Sequence, residues 1–575
     1  MNKIVLIAQS GNKIGYGHLK RLKNFAEILK NNFEISIINF SKKNSDDILN
    51  FIKKNNFSFA ILDFRYYKEK LVKDLLKRIP LVLIDSHKIF NSNFPTLYIN
   101  ILTPLKFKYL KNNQFVYDSI NLIPIKIPKN LFFKKRTQNC DLIITFGNSD
   151  PNKLTLRVLR KIKKLENIPS LKIIIGKYFN ENYKIELKNY IKNNFSSNYE
   201  IVEAPENLLE HIIGCRYLIT SFGLTFIEGL IFKKIVGLYN NSFYHKKLAS
   251  NFKGSFIDLG FFPFPVRDIK NLFSEKNLRL KIIKPDNKSL LRIIKNFSKA
   301  NNSLNIYNCK ICGKPVRIVL NQFGKRIYEC KSCKVKFLEL ENRLKPEIIY
   351  NEDYFTEEYR KQYGKTYIED RENILKLAES RLNVIKKILK GRGGKILDIG
   401  CAYGFFLLKA LEFGFDPTGI EIEKKASNYA KKNLKINVIN GDFLKLKIKE
   451  KFDIITLWYV LEHFEEPFKF FDKIDKIINK AGLVAIAVPN GNGAFYKFKR
   501  REYFNSRSDH HYFDWTIKSL KILFKKFGFK LKKVRITGIH PERLGIENKF
   551  FQKIVGIFLK IFNLGDTMEL YFIKK

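Results

Sequence analysis

The run Lys395-Ile-Leu-Asp-Ile-Gly-Cys-Ala-Tyr-Gly404 leaves its surroundings few folds to adopt. Lys395–Asp398 is a short apolar strand pattern, Gly400 and Gly404 make a turn, and Phe405-Phe-Leu-Leu-Lys-Ala-Leu-Glu412 continues as a helix. A strand feeding a helix through glycines is the opening unit of a nucleotide-binding α/β domain. The glycines let the backbone come close to a ligand, and the helix N-terminus presents N–H groups to it. The spacing is Asp-x-Gly-x-x-x-Gly, which differs from the dinucleotide form.

Three further strand patterns follow in order. Pro417-Thr-Gly-Ile-Glu421 ends on a carboxylate suited to both hydroxyls of a ribose. Asn437-Val-Ile-Asn440 runs into Gly441-Asp442-Phe443, where a carboxylate beside an aromatic suits an adenine. Phe452-Asp-Ile-Ile-Thr-Leu-Trp458 runs into Tyr459-Val-Leu-Glu-His463. Together these segments resemble the class I S-adenosylmethionine-dependent methyltransferases, over 350–575. Leu461-Glu-His-Phe464 and Val488-Pro-Asn490 look like the branch that methylates small molecules and sugars. The resemblance implies that Asp398, Gly400, Gly404, Glu421 and Asp442 hold the cofactor.

At 575 residues the chain has room for about four domains, and its 45% hydrophobic content is ample for packed cores. Lysine and arginine number 106 against 55 acids, a formal charge of +51. The lysines are spread along the whole chain, which reads as solvated faces and remains compatible with anionic substrates such as nucleotide-sugars. The apolar start, Met1–Gln9, is too short for a signal peptide core, and no run reaches about 18 uncharged apolar residues. These features read as a cytoplasmic protein without stable membrane insertion.

In the N-terminal half, Ile4-Val-Leu-Ile-Ala8 is a strand pattern, followed by Gly15-Tyr-Gly17-His18-Leu-Lys-Arg21 and a helical repeat at Leu19, Leu22, Phe25, Ala26 and Leu29. A glycine-rich loop again feeds a helix N-terminus, a natural anion site. His18 stands there, where an imidazole can take a proton from water. A second α/β unit begins at Asp141-Leu-Ile-Ile-Thr-Phe-Gly147 and continues to Ser221-Phe-Gly-Leu-Thr225, with Glu228 on the next helix. Two such lobes resemble the GT-B architecture. The motifs Gly15-x-Gly17-His18-x-x-Arg21, Gly147-Asn-Ser-Asp150-Pro151 and Ser221-x-Gly223-x-Thr225-x-x-Glu228 look like the UDP-2,4-diacetamido-2,4,6-trideoxy-sugar hydrolase of pseudaminic acid biosynthesis. That resemblance implies a uridine diphosphate at 221–225, Glu228 on ribose hydroxyls, and His18 as the base. Asn148 replaces a family glycine, and the aromatic partner near Asp63 is either Tyr66 or Tyr67.

Cys309-Lys-Ile-Cys312 and Cys330-Lys-Ser-Cys333 form the four-thiolate pattern of a zinc ribbon. All four positions are cysteine, so the metal would be structural, with no ligand position left for water. Cys140, Cys215 and Cys401 read as ordinary buried thiols. Beyond the fifth strand pattern of the methyltransferase region, Ser508-Asp-His-His-Tyr-Phe-Asp514 offers His511 first and His510 second as acceptor-site bases, with His463 as base or structural residue. Phe550–Phe562 is amphipathic and reads as a lid or core helix rather than one lying on a membrane.

The expected architecture is α/β and multidomain: GT-B-like lobes at 1–130 and 131–300, a zinc ribbon at 301–345, and a Rossmann-like methyltransferase domain at 346–575. The expected function is bifunctional sugar modification, pairing UDP-sugar hydrolysis or glycosyl transfer with S-adenosylmethionine-dependent methylation of a sugar or small molecule. The partners are then a UDP-linked amino sugar and a sugar-like acceptor. A nucleic-acid methyltransferase is the competing reading. It lacks a Pro-Pro-aromatic tetrapeptide, since Trp458-Tyr-Val-Leu-Glu-His463 stands in that place, and it lacks a Pro-Cys nucleophile. A third reading keeps the N-terminal half as a non-catalytic nucleotide-sugar-binding module.

Overall fold

The computed structural model describes the chain except residues 1, 12–15, 41–43, 65–67, 87, 93, 104–108, 112, 126–139, 196–197, 275–282, 300–307, 342–353, 361–363 and 547. Gly15, Tyr66 and Tyr67 lie outside the described residues. The chain forms two compact units. One comprises Met1–Lys108 with Asn112–Leu304, and the other Tyr109–Lys111 with Asn305–Lys575. Both expected lobes fall within the first unit, and the cysteine-rich segment falls within the second.

The first unit holds two six-stranded parallel sheets. Strands β1 (Asn2–Ala8), β2 (Phe33–Asn39), β3 (Phe59–Asp63), β4 (Leu81–Ile84), β5 (Thr96–Asn100) and β6 (Gln114–Asp118) lie in the order β2-β1-β3-β4-β5-β6. Strands β7 (Cys140–Ile144), β8 (Leu171–Ile175), β9 (Tyr199–Glu203), β10 (Cys215–Thr220), β11 (Ile235–Asn240) and β12 (Ile257–Phe261) lie in the order β12-β11-β10-β7-β8-β9. The inner strands are near-continuous apolar runs because helices cover both faces of a parallel sheet. Helix Asn287–Phe297 returns to the first sheet, where the Phe297 ring meets Phe59 edge-on at 5.5 Å. Cys140 and Cys215 sit opposite each other on adjacent strands and are disulfide-bonded, which corrects their reading as free thiols.

The second unit opens with an antiparallel sheet of β13 (Val316–Gln322), β14 (Lys325–Cys330) and β15 (Lys336–Leu340), extended by β21 (Phe513–Asp514). The turn between β13 and β14 uses Gly324 at φ +75°, a left-handed conformation that glycine adopts without steric cost. Its main sheet contains β16 (Lys395–Ile399), β17 (Asp416–Glu421), β18 (Asn437–Asn440), β19 (Phe452–Trp458), β20 (Ile478–Pro489), β22 (Phe529–Thr537) and β23 (Thr567–Lys574). Their order is β18-β17-β16-β19-β20-β23-β22, parallel except for β23, which runs antiparallel to both neighbours. This is the Rossmann-like fold expected of the class I methyltransferase resemblance.

Two buried cations lock the second unit. Arg381 donates to Glu569 at 2.9 Å and lies 4.2 Å from the Trp458 ring. Lys336, fully buried, donates to the Gly491 carbonyl and sits 3.5 Å from the Tyr496 ring. Burial pulls the Lys336 ammonium down to about 8, against the opposing attraction of Asp514 and Glu329.

Helix Lys549–Ile561 departs from the sequence reading. Only Leu559 is fully buried, while Phe550, Phe551, Ile554, Ile557, Phe558, Ile561 and the following Phe562 are exposed. It is therefore neither a core helix nor a lid seated on its apolar side.

Candidate active sites

In the first unit, helix Gly17–Leu29 starts at the C-terminal edge of β1 and carries His18, Lys20 and Arg21. Neighbouring strand β3 ends at Asp63, the pivot of the arrangement. His18 Nδ1 lies 2.6 Å from Asp63 Oδ1; with the carboxylate accepting, Nδ1 donates and Nε2 is the outward basic nitrogen. Arg21 donates to both Asp63 oxygens at 2.6 Å and to Asp85 at 2.6 Å. Burial pushes the Asp63 carboxyl up, but Arg21 and His18 more than offset it and hold it at about 2. Gly17, the first residue of the helix, is exposed beside this cluster.

The second sheet contributes the turn after β10. Ser221 Oγ accepts from the Asn241 backbone at 3.2 Å, and Gly223 precedes helix Leu224–Ile231, which carries Thr225 and Glu228. Glu228 is buried, accepts from Lys20 at 2.9 Å through Oε1, and leaves Oε2 without a hydrogen-bond partner. The sequence motifs from both sheets thus meet through the Lys20–Glu228 pair. Asp150 serves a structural role: it accepts from Leu154 N, Thr155 N, Thr155 Oγ1 and Tyr183 OH, capping helix Leu154–Ile162.

In the second unit, the turn after β16 is shaped by contacts that exclude a side chain. A Cβ at Gly400 would lie 2.6 Å from Val460, and one at Gly404 would lie 2.9 Å from Ala430. Both glycines have positive φ, at +73° and +81°. Glu421 at the end of β17 accepts from Ala402 N at 2.8 Å and Glu423 N at 2.9 Å, so it fixes the glycine turn. Buried Asp398 accepts from Thr456 Oγ1 at 2.7 Å, and burial raises its carboxyl to about 7. Asp442 caps its own turn through Leu444 N at 2.9 Å, while Phe443 is packed against Phe470 at 5.0 Å and forms wall rather than an open platform. Tyr367, not singled out from sequence, stacks on Tyr403 and Phe405 and faces the fields of Asp398 and Glu421.

Val460, in contact range of Gly400, leads directly into the turn Leu461–His463. Glu462, His463 and His511 bring ligand-type atoms within 4.8 Å of one another. Both carboxylate oxygens of Glu462 are buried without a hydrogen-bond partner, and burial raises this acid to about 8. His463 Nδ1 donates to the His510 carbonyl at 3.0 Å, and its ring lies 4.8 Å from that of His511. Burial lowers His463 to about 4 and holds His511 well below its usual range, so both imidazoles are neutral at pH 7. His510 is part of the same loop, its backbone N–H bonded to Ser508 Oγ at 3.2 Å. Glu462 lies inside the Leu-Glu-His motif, but its isolation is a property of packing that spacing does not reveal.

The four cysteines converge. Cys309 and Cys333 Sγ are 3.6 Å apart, Cys312 and Cys330 Sγ are 3.4 Å apart, and all four lie within 4.8 Å of one another. Backbone N–H groups of Ile311 and Ser332 point at Cys309 and Cys330 Sγ, at 3.4 and 3.3 Å.

A family model described as a methyltransferase domain matches residues 367–534. The second unit thus contains the segment that matches a methyltransferase domain. Among characterised and uncharacterised relatives, an uncharacterized protein of Methanocaldococcus jannaschii is 24% identical over 371 residues, covering 56% of this chain and 70% of its own. A ubiquinone biosynthesis O-methyltransferase of Pelagibacter ubique is 32% identical over 133 residues, 22% of this chain and 54% of its own. The corresponding protein of Glaesserella parasuis is 32% identical over 115 residues, 18% of this chain and 49% of its own. The chain thus spans about half the length of these two O-methyltransferases. Solved structures with similarity include a SAM dependent methyltransferase from Archaeoglobus fulgidus (18% identity, TM-score 0.28, 38% of this chain and 98% of that one). Another is magnesium protoporphyrin IX methyltransferase from Synechocystis PCC 6803 with bound SAH (12% identity, TM-score 0.29, 40% and 99%).

Proposed function

We propose that the chain is a bifunctional sugar-modifying enzyme. Its first unit hydrolyses a UDP-linked amino sugar, and its methyltransferase domain methylates a sugar or related small molecule. The observation that carries the first half is the His18–Asp63 pair at a helix N-terminus. Asp63 holds the imidazole so that Nε2 accepts a proton from water. The water oxygen then bonds to the anomeric carbon, the bond from that carbon to the diphosphate oxygen breaks, and UDP leaves with the electron pair. Ser221, Gly223, Thr225 and Glu228 bind the nucleotide, Gly17 lies on the first-sheet side, and buried Arg21 acts through Asp63, which it fixes behind His18. Free UDP released from a panel of UDP-linked diacetamido sugars tests this reading. His18→Ala is expected to lower the rate at least 10²-fold, within the range of general-base contributions. Equal release by the variant, or none by the parent chain, rejects it.

In the second unit, Asp398, Gly400, Gly404, Glu421, Asp442 and Phe443 would hold S-adenosylmethionine, whose sulfonium supplies an activated methyl group. The buried carboxylates and the glycine turn that excludes side chains fit such a cation and its nucleoside. His511, with His463 and His510 beside it, would take the proton from the acceptor. The four cysteines would hold one structural zinc ion, for which an all-thiolate tetrahedral set is suited.

A pH dependence follows from Asp398. Its carboxyl is raised to about 7, so the favourable anion near a sulfonium is formed only as pH rises through that value. Affinity for S-adenosylmethionine, measured by titration calorimetry, is expected to tighten from about pH 5.5 to about pH 8.5 and to lose that slope in Asp398→Asn. An unchanged slope in the variant would assign the titration elsewhere.

A further inference from the structure

Helix Lys549–Ile561 and the adjoining Phe562 concentrate exposed apolar surface. Seven of the twenty large hydrophobic side chains exposed among the described residues occur in this one stretch. At about 100° per residue, Phe550, Phe551, Ile554, Ile557, Phe558, Ile561 and Phe562 fall within an arc of about 140°. Val555 and Leu559 lie beyond one edge of that arc and anchor the helix to Ala494, Ile539, Leu544 and Leu564. Gly556 faces Ile539 and Pro541 on the same anchored side. Lys549, Lys553 and Lys560 line the other edge, and no acidic residue occurs between 549 and 562. The helix is thus held rigidly by one side and presents a phenylalanine–isoleucine stripe bordered by ammonium groups.

The surroundings extend the same chemistry. The end of the helix, at Phe562, borders a cleft lined by Lys497, Lys518, Lys521, Lys525 and Lys530, with no Asp or Glu among its lining residues. The basic segment Lys497-Phe498-Lys499-Arg500-Arg501 continues from helix Ala494–Phe498, which packs against the turn Pro541–Leu544 that also contacts the helix. Phe498 is exposed, the Arg543 guanidinium is 6.0 Å from the Phe495 ring, and Lys499 Nζ would be 3.8 Å from a methyl at Gly545. No helix among the described residues is long and apolar enough to cross a bilayer. An apolar stripe about three turns long with cations along its border suits partial burial at the level of lipid headgroups.

We propose that this face docks the methyltransferase unit onto an anionic lipid surface. Phe550, Phe551, Ile554, Ile557, Phe558 and Ile561 enter the acyl boundary, and the bordering lysines pair with lipid phosphates. A protein partner would be expected to balance the cations with carboxylates on its own surface; a second copy of this strongly basic chain supplies the same charge and is disfavoured by repulsion.

The test uses the full chain and vesicles of phosphatidylcholine alone or with roughly 30% phosphatidylglycerol, read by co-sedimentation. Binding to the anionic vesicles is expected at low salt, weakening at high salt and at least tenfold weaker to phosphatidylcholine alone. Ile557→Asp with Ile561→Asp is expected to lower the vesicle-bound fraction at least tenfold while S-adenosylmethionine affinity stays unchanged, because both side chains are exposed. Lys549→Ala, Lys553→Ala and Lys560→Ala together should remove most of the preference for anionic lipid. No binding to either vesicle at low salt overturns the proposal. So does vesicle binding untouched by the Ile557/Ile561 substitutions, or a self-associated chain that those substitutions convert to monomer without any vesicle binding.

Discussion

Arg21→Met should cost the first unit about 3–5 kcal/mol, the usual consequence of removing one partner from a buried ion cluster. The guanidinium is almost completely buried and is shared by two carboxylates. Asp63 is wholly enclosed, and Asp85 already receives the Ile101, Leu102 and Thr103 backbone N–H groups on its other oxygen. Methionine fills much of the volume but leaves Asp63 with only the His18 Nδ1–H as a side-chain partner. The pH response should invert as well. In the parent chain Asp63 is depressed to about 2 from an ordinary 3.8, so its contribution is present above about pH 4 and is lost as pH falls through about 2. In the variant, burial dominates, the carboxyl is raised, and stability falls as pH rises. Thermal unfolding by calorimetry should therefore show Arg21→Met melting lower than the parent at neutral pH and recovering on mild acidification. A variant melting within about 2 °C of the parent at neutral pH would mean that the cluster contributes little.

Cys330→Ser should have an effect of comparable size on the second unit, and it rests on the zinc assignment. Structural zinc contributes folding free energy on the order of 10 kcal/mol in small zinc-binding peptides. Here the cysteines close a small sheet whose last strand pairs with β21 of the methyltransferase region and whose Lys336 reaches the Gly491 carbonyl. Thr516, which caps helix Ile517–Lys526, also donates to the Cys333 carbonyl at 2.7 Å. Loss of the metal should thus loosen both the small sheet and the loop bearing His510 and His511, which lies just before β21. Elemental analysis is expected to find about one zinc per parent chain and none in the variant, with a lower melting transition. A parent chain free of zinc, and a variant that melts with it, would remove the assignment.

Much of the second unit was legible because its strands and turns are local. Lys395–Ile399, Gly400, Gly404 and Phe405–Glu412 occupy the places that their spacing implied. Local pattern does not specify which distant groups meet. Asp63 is 45 residues from His18, and Glu228 is 208 residues from Lys20. Their pairing follows from two sheets folding, which no motif spacing encodes. The same holds for Cys140 and Cys215, brought opposite one another by parallel strands 75 residues apart in sequence. Strand β5, Thr96-Leu-Tyr-Ile-Asn100, is buried throughout even though it begins and ends on polar residues, so its short apolar run carried little signal. Helix Lys549–Ile561 shows the converse limit. Amphipathic periodicity announces an apolar side, and the fold then anchored the helix by Val555 and Leu559 instead of by that side.

The placement of β23 bears on how this chain is made. It fills an interior slot between β20 and β22, yet it is the last strand of the sheet to be synthesised. As β22 emerges from the ribosome its partner does not yet exist, and one edge of β20 stands open. The methyltransferase sheet can close only after residue 574 has left the exit tunnel. Until then the nascent domain exposes two unpaired strand edges, a state prone to wrong pairing. The nascent domain should therefore need protection from wrong pairing until β23 has emerged, long after the first unit has been synthesised.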